Sequence, residues 1–243
     1  MDEGVKLFQL PVRVFDQGSL RSPMGMPAHE TSVGVVCAGS TLVFQQTYAA
    51  LVALLSQIQS TSAKLVLPTV GELADYMARV LTRYYRSLGS NRLGVGQVSM
   101  IVGGLDPDSL HPVAFELHRS LDSEGVYQFL PRELNLALGV VEFRGDTDAC
   151  LRASELWRKQ TEEQQEPASY NSVLRIVESV AEDPAYPNVG GRAQVGFTSP
   201  FGFHRVARAG MSEGSLELYL HGLPLLELGA IGSYLIPTLS ALA

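Results

Sequence analysis

The stretch Ser32-Val33-Gly34-Val35-Val36-Cys37-Ala38-Gly39-Ser40-Thr41 joins a buried strand to a helix. Residues 32–37 are mostly small or β-branched, which predicts a short buried strand. Gly39 interrupts the strand, and Thr41 is predicted as the N-cap of the following helix because its hydroxyl can accept a hydrogen bond from the first turn. Apolar residues then recur at helical spacing and predict a helix over 42–58, with one face formed by Leu51, Leu54, Leu55 and Ile58.

A second helix is predicted directly downstream. Thr69 and Glu72 form a capping box, in which each residue satisfies a backbone N–H that the first turn of a helix leaves without a partner. The apolar residues after it again recur at helical spacing. One face of this helix is predicted to consist of Leu73, Met77, Val80, Leu81 and Tyr84.

Strands surround these two helices. Upstream, the alternating residues 6–10 predict a strand, and the Gly-, Pro- and Ser-rich stretch 16–30 predicts a surface loop. Downstream, residues 97–105 and 112–118 flank the turn residues Asp106-Pro107-Asp108-Ser109, which predicts a hairpin. Further strands are predicted around 127–130 and 134–141.

A second helix pair follows. Asp146 is predicted to cap a helix that ends near Lys159, and residues 161–166 are predicted to form a linker. Ser169 is predicted to cap another helix. The predicted inward residues of that last helix are Val173, Leu174, Ile176, Val177 and Val180. Strands over 192–197 and 203–207 complete the order. Two helix pairs separated by strands predict an α+β fold with two stacked sheets and helices outside each, a four-layer αββα sandwich.

Composition limits the partners. The chain has 243 residues and a formal charge of −7, which opposes binding to nucleic acid or to an anionic membrane surface. The first residues contain no apolar leader, so we expect a cytoplasmic protein. Only 18% of the residues are charged while 46% are hydrophobic, which favours a chain that buries surface in a homo-oligomer.

Neither a metal nor another cofactor is predicted. Cys37 and Cys150 lie far apart, and no cysteine or histidine follows another at a spacing typical of metal ligands. The five histidines are His29, His111, His118, His204 and His221. The cysteines are therefore expected to be reduced and structural.

Four short motifs, in their order and spacing, resemble the proteasome β-subunit family of N-terminal-nucleophile hydrolases, which includes the bacterial relatives HslV and Anbu. They are Lys6-Leu7-Phe8, Ala38-Gly39 before a helix, Gly103-Gly104-Leu105-Asp106 at a strand end, and Gly190-Gly191 before a strand. The resemblance covers Lys6 to Ala207. It implies one domain over 1–210 with the same sandwich and an apolar C-terminal extension over 211–243, packed on that domain or on a neighbouring subunit.

The resemblance also implies a chemistry. Members of this family cleave peptides with an N-terminal threonine whose own α-amine accepts the hydroxyl proton. By position, Lys6 corresponds to the lysine beside the nucleophile and the N–H of Gly39 to the oxyanion hole. Cys37, Ser40 and Thr41 fall where the family binds substrate. Peptides or unfolded proteins are the implied substrates, and a ring assembly with a regulatory ATPase is the implied context.

The sequence departs from the family at its start. Residues 1–5 contain no threonine, so we expect a subunit that lacks the catalytic hairpin and is non-catalytic or incomplete. The alternative is an active threonine-type peptidase whose nucleophile lies upstream of Met1 or is exposed by cleavage before Thr31. Cleavage before Thr31 leaves no room for the family's lysine before the first helix. A third alternative is a binding domain that shares only the sandwich.

Overall fold

A computed structural model of the chain describes residues 6–16, 25–61, 65–88, 98–137, 140–163, 169–187, 189, 193–212, 215–220, 223–224 and 239–240, with side chains up to Val206. The chain divides into two compact units. The first, called the sheet unit below, comprises Leu7–Leu134 and Gly196–His204. The second comprises Met1–Lys6, Asn135–Val195 and Arg205–Ala243.

Six strands form the sheet of the first unit. They are β1 (Leu7–Phe15), β2 (His29–Gly39), β3 (Ile58–Gln59), β4 (Val98–Leu105), β5 (Pro112–Leu121) and β6 (Tyr127–Glu133). Their order in the sheet is β3-β1-β2-β4-β5-β6, and every neighbouring pair is antiparallel except β1 with β3. The predicted hairpin around Asp106 is confirmed, since β4 pairs with β5 and the Asp106 N–H donates to the His111 carbonyl at 3.0 Å.

Helices α1 (Thr41–Leu55) and α2 (Val70–Ser87) pack on one face of this sheet. Alternate residues of the strands point into the resulting core because side chains alternate between the two faces of a strand. The fully buried side chains of this core are Leu10, Val12, Val14, Val35, Val43, Leu51, Met77, Leu81, Met100, Val102 and Leu117.

The capping box of α2 is confirmed. Thr69 Oγ1 accepts the Glu72 N–H at 3.1 Å, and the Glu72 carboxylate accepts the Thr69 N–H at 2.8 Å. The predicted inward face is right for Leu73, Met77 and Leu81 but wrong for Tyr84. Tyr85 is the buried tyrosine, because it lies one helical turn after Leu81 and its ring packs edge-on against that of Phe129.

The two ends of α1 differ from the prediction. Ser40 and not Thr41 is the N-cap, because the left-handed backbone of Gly39 (φ 94°) turns the chain one residue earlier. The helix stops at Leu55, after which Ile58 pairs in parallel with Val14 of β1. Leu54 is exposed, so the predicted four-residue face is only partly correct.

The strands before and after this region also shift. β1 extends to Phe15, and β2 already begins at His29, so the predicted loop 16–30 is too long at its C-terminal end. Glu30 pairs with Arg13 across the two strands and forms an ion pair with it at 2.8 Å. Residues 17–24 of that loop lie outside the described residues. The predicted strand 134–141 is wrong for the residues described there, because β6 ends at Glu133 and no further strand follows it in the sheet.

The opposite face of the sheet is covered at β2 by a hairpin of β7 (Val195–Ser199) and β8 (Gly202–Ser212). These strands replace the predicted ranges 192–197 and 203–207. The Phe203 ring occupies the space that side chains at Gly34 and Gly196 would fill. A Cβ added at Gly34 would come within 2.5 Å of the ring, and one added at Gly196 within 2.2 Å. Ser32 beneath the hairpin is buried and accepts the Phe203 N–H at 3.0 Å.

The second unit contains α3 (Thr147–Arg158) and α4 (Tyr170–Glu182). Both predicted caps are confirmed, with Asp146 accepting the Ala149 N–H and Ser169 accepting the Ser172 N–H. The helices pack through small and branched residues, the buried ones being Ala149, Ala153, Ile176 and Val180. Val177, predicted to point inward, is exposed.

A π-helical segment, Lys159–Glu163, continues α3, so the predicted linker does not begin at Thr161. β8 pairs with β9 (Ser215–Leu220) and in parallel with β11 (Leu239–Ser240), and β9 pairs with β10 (Leu223–Pro224). The Gly190-Gly191 motif lies outside the described residues, as do residues 225–238 of the C-terminal extension. The chain is a mixed α+β protein with a six-stranded sheet and four described α-helices.

Candidate functional site

Cys37, Gly39, Ser40 and Thr41 lie together where β2 ends and α1 begins. Leu7, the first residue of β1, pairs with Val36 of β2. Lys6 directly precedes Leu7 in the chain, and β2 runs on from Val36 through Cys37 to Gly39. The Lys6 N–H donates to Gln194 Oε1 at 3.0 Å.

The junction between β2 and α1 is open to solvent. Gly39 is exposed, and its positive φ of 94° is a conformation that favours glycine. The Ser40 side chain makes no capping hydrogen bond, although its carbonyl accepts the Phe44 N–H at 3.2 Å. Thr41 is the exposed first residue of the helix. The roles predicted for Gly39, Ser40 and Thr41 stay predictions.

The two cysteines lie in different environments. Cys37 packs against the core beneath α1 and α2, on the helix-facing side of the sheet. In the second unit, burial raises the pKa of the Cys150 thiol, the Arg144 guanidinium lowers it and the Asp146 carboxylate raises it. A raised thiol pKa leaves less thiolate at neutral pH, so Cys150 is a weak nucleophile.

Thr31 lies at the other end of β2. It pairs with Val12 of β1, and His29 and Glu30 precede it within the same strand. Gly39 lies eight positions after Thr31 along the extended strand, a distance of about 27 Å at the rise of a β-strand. Thr31 is therefore not near the glycine whose N–H was predicted to form the oxyanion hole.

A pocket of about 140 Å³ adjoins Thr31 within the sheet unit. Its walls come from β1, β2, the start of α2, the turn between β4 and β5, and the turn between β7 and β8. The apolar lining residues are Val12, Val14, Val33, Leu67, Pro68, Val70, Leu73, Leu105, Pro107, Leu110 and Pro200, and the polar ones are His29, Thr31, Ser32, Asp106 and Ser199, with Gly202 at one side.

Three of the pocket's polar side chains, Ser32, Asp106 and Ser199, have hydrogen-bond partners inside the protein. The Asp106 carboxylate accepts the N–H groups of Asp108 and Ser109, both at 3.2 Å. Ser32 Oγ contacts Phe203 and Gln9. A group bound in this pocket therefore meets a mostly apolar wall, which suits an apolar side chain better than an ion.

Ser199 and His204 form a hydroxyl–imidazole pair that the sequence motifs did not predict. Ser199 Oγ and His204 Nε2 are 2.8 Å apart, a distance that nucleophile–base pairs also have. Ser199 Oγ also accepts the Phe201 N–H at 3.1 Å and lies 3.3 Å from the Gly202 carbonyl, so it closes the turn between β7 and β8. The Ser-Pro-Phe-Gly sequence was the signal for this turn.

No described cluster of three or more histidine, cysteine or acidic side chains could hold a metal ion. Likewise, none of the described helices has the length and apolar character needed to cross a membrane. A scan against models of protein families gives no match, and a search of curated proteins gives none either.

Proposed function

We propose that this chain is a proteasome-like subunit that works by assembling with further copies of itself and contributes no nucleophile of its own. One observation carries the proposal: the β1–β2 pair leads through Gly39 into α1, α2 packs on the same face, and β4 ends at Leu105, directly before Asp106. Three of the four family motifs thus stand at the start of β1, at the β2–α1 junction and at the end of β4.

The proposal includes the arrangement of layers. α1 and α2 form one outer layer on the six-stranded sheet. In the proposed sandwich, β7, β8 and β9 belong to the second sheet, and α3 with α4 forms the other outer layer. Such a four-layer sandwich supports a ring or stacked assembly in the cytoplasm, because each subunit presents helices outward to its neighbours.

The position of Thr31 supports the absence of a working nucleophile. Its nitrogen is an amide within β2, and an amide has no basic lone pair to accept the hydroxyl proton. Exposing it as an amine requires cutting the strand between Glu30 and Thr31, which breaks up the cross-strand pairing with Arg13 and Val14. Gly39 lies about 27 Å further along the strand.

Peptide hydrolysis by the purified full chain tests this proposal. We expect no turnover of fluorogenic peptides by a protein whose intact mass begins at Met1, and no effect of Thr31→Ala. Native mass spectrometry of the same sample is expected to show more than one copy per particle. Turnover by a chain that begins at Met1, or a strictly monomeric particle, contradicts the proposal.

The pocket favours a second candidate, an active threonine-type peptidase. Thr31 lines a 140 Å³ apolar pocket that has room for a substrate side chain. In this version, processing before Thr31 creates the nucleophile, or a threonine encoded upstream of Met1 supplies it. Unfolded proteins delivered by a regulatory ATPase are then the substrates.

Two observations separate the two candidates. A subunit mass that begins at Thr31, with turnover lost in Thr31→Ala, supports the processed peptidase. The upstream version is supported if the in-frame codons before Met1 encode a threonine followed by a strand-turn-strand pattern. Stop codons there exclude it.

A further inference from the structure

The turn between β7 and β8 presents a phenylalanine to solvent. Phe201 is 85% exposed, although burying such a side chain is worth about 1.5–3 kcal/mol. Its two neighbours, Pro200 and Gly202, both line the 140 Å³ pocket. An exposed aromatic ring therefore stands directly beside an apolar hole on the same surface.

The turn is rigid. Within the turn, Ser199 Oγ accepts the Phe201 N–H. Just after the turn, Ser32 Oγ forms hydrogen bonds with both the N–H and the carbonyl of Phe203, each at 3.0 Å. Gly202, at φ 110°, lies so close to Ser32 that a Cβ there would be 2.7 Å from the hydroxyl oxygen. A rigid turn loses little conformational freedom when its exposed ring is bound.

The hole has the size of an aromatic ring. A cavity of about 150 Å³ accommodates a benzene molecule, and this pocket measures about 140 Å³. Exposed apolar side chains continue its rim, since Leu110 is 65% exposed and Val66, next to the lining residue Leu67, is 61% exposed.

We propose that this turn and pocket form a self-association surface, in which Phe201 of one copy fills the pocket of a second copy. When a knob and a hole lie side by side, a two-fold axis lets both copies make the same contact at once. The proposal rests on the assembly function above and names the surface that would serve it.

A second copy suits this patch because each copy supplies both the exposed ring and the hole, and the patch has few charges to oppose the contact. Two chains of net charge −7 repel each other over most of their surfaces, and the contact is least opposed where the surface is uncharged. Residues 65–71 and 196–203 contain no charged side chain, and the Asp106 carboxylate in the pocket lining accepts the N–H groups of Asp108 and Ser109. The first segment supplies Val66 and the side of the pocket next to α2, and the second supplies the turn with Phe201.

The area is consistent with an interface whose centre is apolar. Phe201, Leu110, Val66 and the pocket wall offer on the order of 400 Å² of apolar surface, about half of the ~800 Å² that each partner buries in a stable complex. The rims of known interfaces are polar, so the remaining area is expected to come from polar residues around the patch.

Sedimentation velocity of the full chain tests the proposal through two variants and one control. Phe201→Ser removes the ring from an exposed position, and Leu110→Asn removes a rim side chain while tolerating the left-handed backbone at that residue (φ 56°). Leu151→Ser is the matched control, because Leu151 is 63% exposed on α3 in the second unit.

We expect Phe201→Ser to raise the dissociation constant at least about tenfold, Leu110→Asn to raise it several-fold, and Leu151→Ser to leave it unchanged. All three should unfold at the urea midpoint of the unmodified chain to within a small shift. A monomeric unmodified chain overturns both this surface and the assembly function.

The surface alone is overturned if the unmodified chain assembles and Phe201→Ser assembles equally well. It is also overturned if Leu151→Ser weakens assembly as much as Phe201→Ser does. A change in peptide turnover without a change in assembly would assign the pocket to the peptidase candidate instead.

Discussion

The two faces of the six-stranded sheet are closed in different ways. α1 and α2 close one face through many interchangeable apolar contacts, with alternate strand residues and helix stripes fully buried. The hairpin of β7 and β8 closes the other face at β2 through a few specific atoms, chiefly the Phe203 ring over Gly34 and the Ser32 hydroxyl. The packing of the first face is therefore expected to depend on the apolar volume that it buries, and that of the second face on the close fit of a few atoms.

The largest effect on stability is expected on the helix face. Leu81→Ala removes a fully buried side chain of α2 and leaves a cavity, which should lower the free energy of unfolding by about 2–5 kcal/mol. Leu42→Ala, at an exposed position of α1, is the control and should cost well under half as much. Urea denaturation measures both. Equal losses would contradict the assignment of the core.

Gly34→Ala tests the fit on the other face. The new methyl group would lie 2.5–2.9 Å from three atoms of the Phe203 ring, and β2 is paired on both sides and cannot retreat. We expect a loss of about 2–3 kcal/mol, as for overpacked cores. Gly103, its cross-strand partner, is the matched control, because a methyl group there first meets another atom at an ordinary 3.4 Å. A Gly34→Ala protein as stable as Gly103→Ala would refute the close packing of Phe203.

Ser32→Ala removes the hydroxyl that anchors the hairpin. The Phe203 N–H and carbonyl and the Gln9 side chain each lose a hydrogen bond, and the two backbone groups are buried. Leaving such groups without a partner should cost about 1–2 kcal/mol. Ser87→Ala, which removes an exposed hydroxyl on α2, should be nearly neutral when both variants are measured by urea denaturation. A neutral Ser32→Ala would mean that the hairpin does not depend on this hydroxyl.

The smallest expected effect on stability is the difference between the N-caps of α1 and α2. Thr69 caps α2 with its side chain whereas Ser40 does not cap α1. Thr69→Ala should therefore lower the unfolding free energy by about 1 kcal/mol and Ser40→Ala by clearly less. Chemical denaturation of the two variants side by side makes the comparison, and the reverse order would show that the capping box contributes little.

Much of the helix face was predictable from sequence because its signals are local. The capping box of Thr69, the turn at Asp106 and the caps Asp146 and Ser169 each lie within a few residues of the group that they satisfy. The predicted element boundaries were wrong where a distant partner decides them. For example, β2 begins at His29 because β1 extends far enough to pair with it.

The second face and the pocket were not predictable for the same reason. Ser32 and Phe203 are 171 positions apart, and no local pattern records that one ring fills the space over two distant glycines. The pocket draws its walls from five separate segments, so only the folded chain brings Thr31, Leu110 and Ser199 to one place. Family motifs assigned the oxyanion role to Gly39 at one end of the sheet and, apart from Thr31, gave no role to the residues that line the pocket at the other end.

Native mass spectrometry of the unmodified full chain tests the assembly function most directly, because one spectrum reports both the number of copies and the mass of each subunit. We predict particles that contain two or more copies of the intact chain beginning at Met1. A monomer, or subunits that begin at Thr31, would contradict an assembling subunit without a nucleophile of its own.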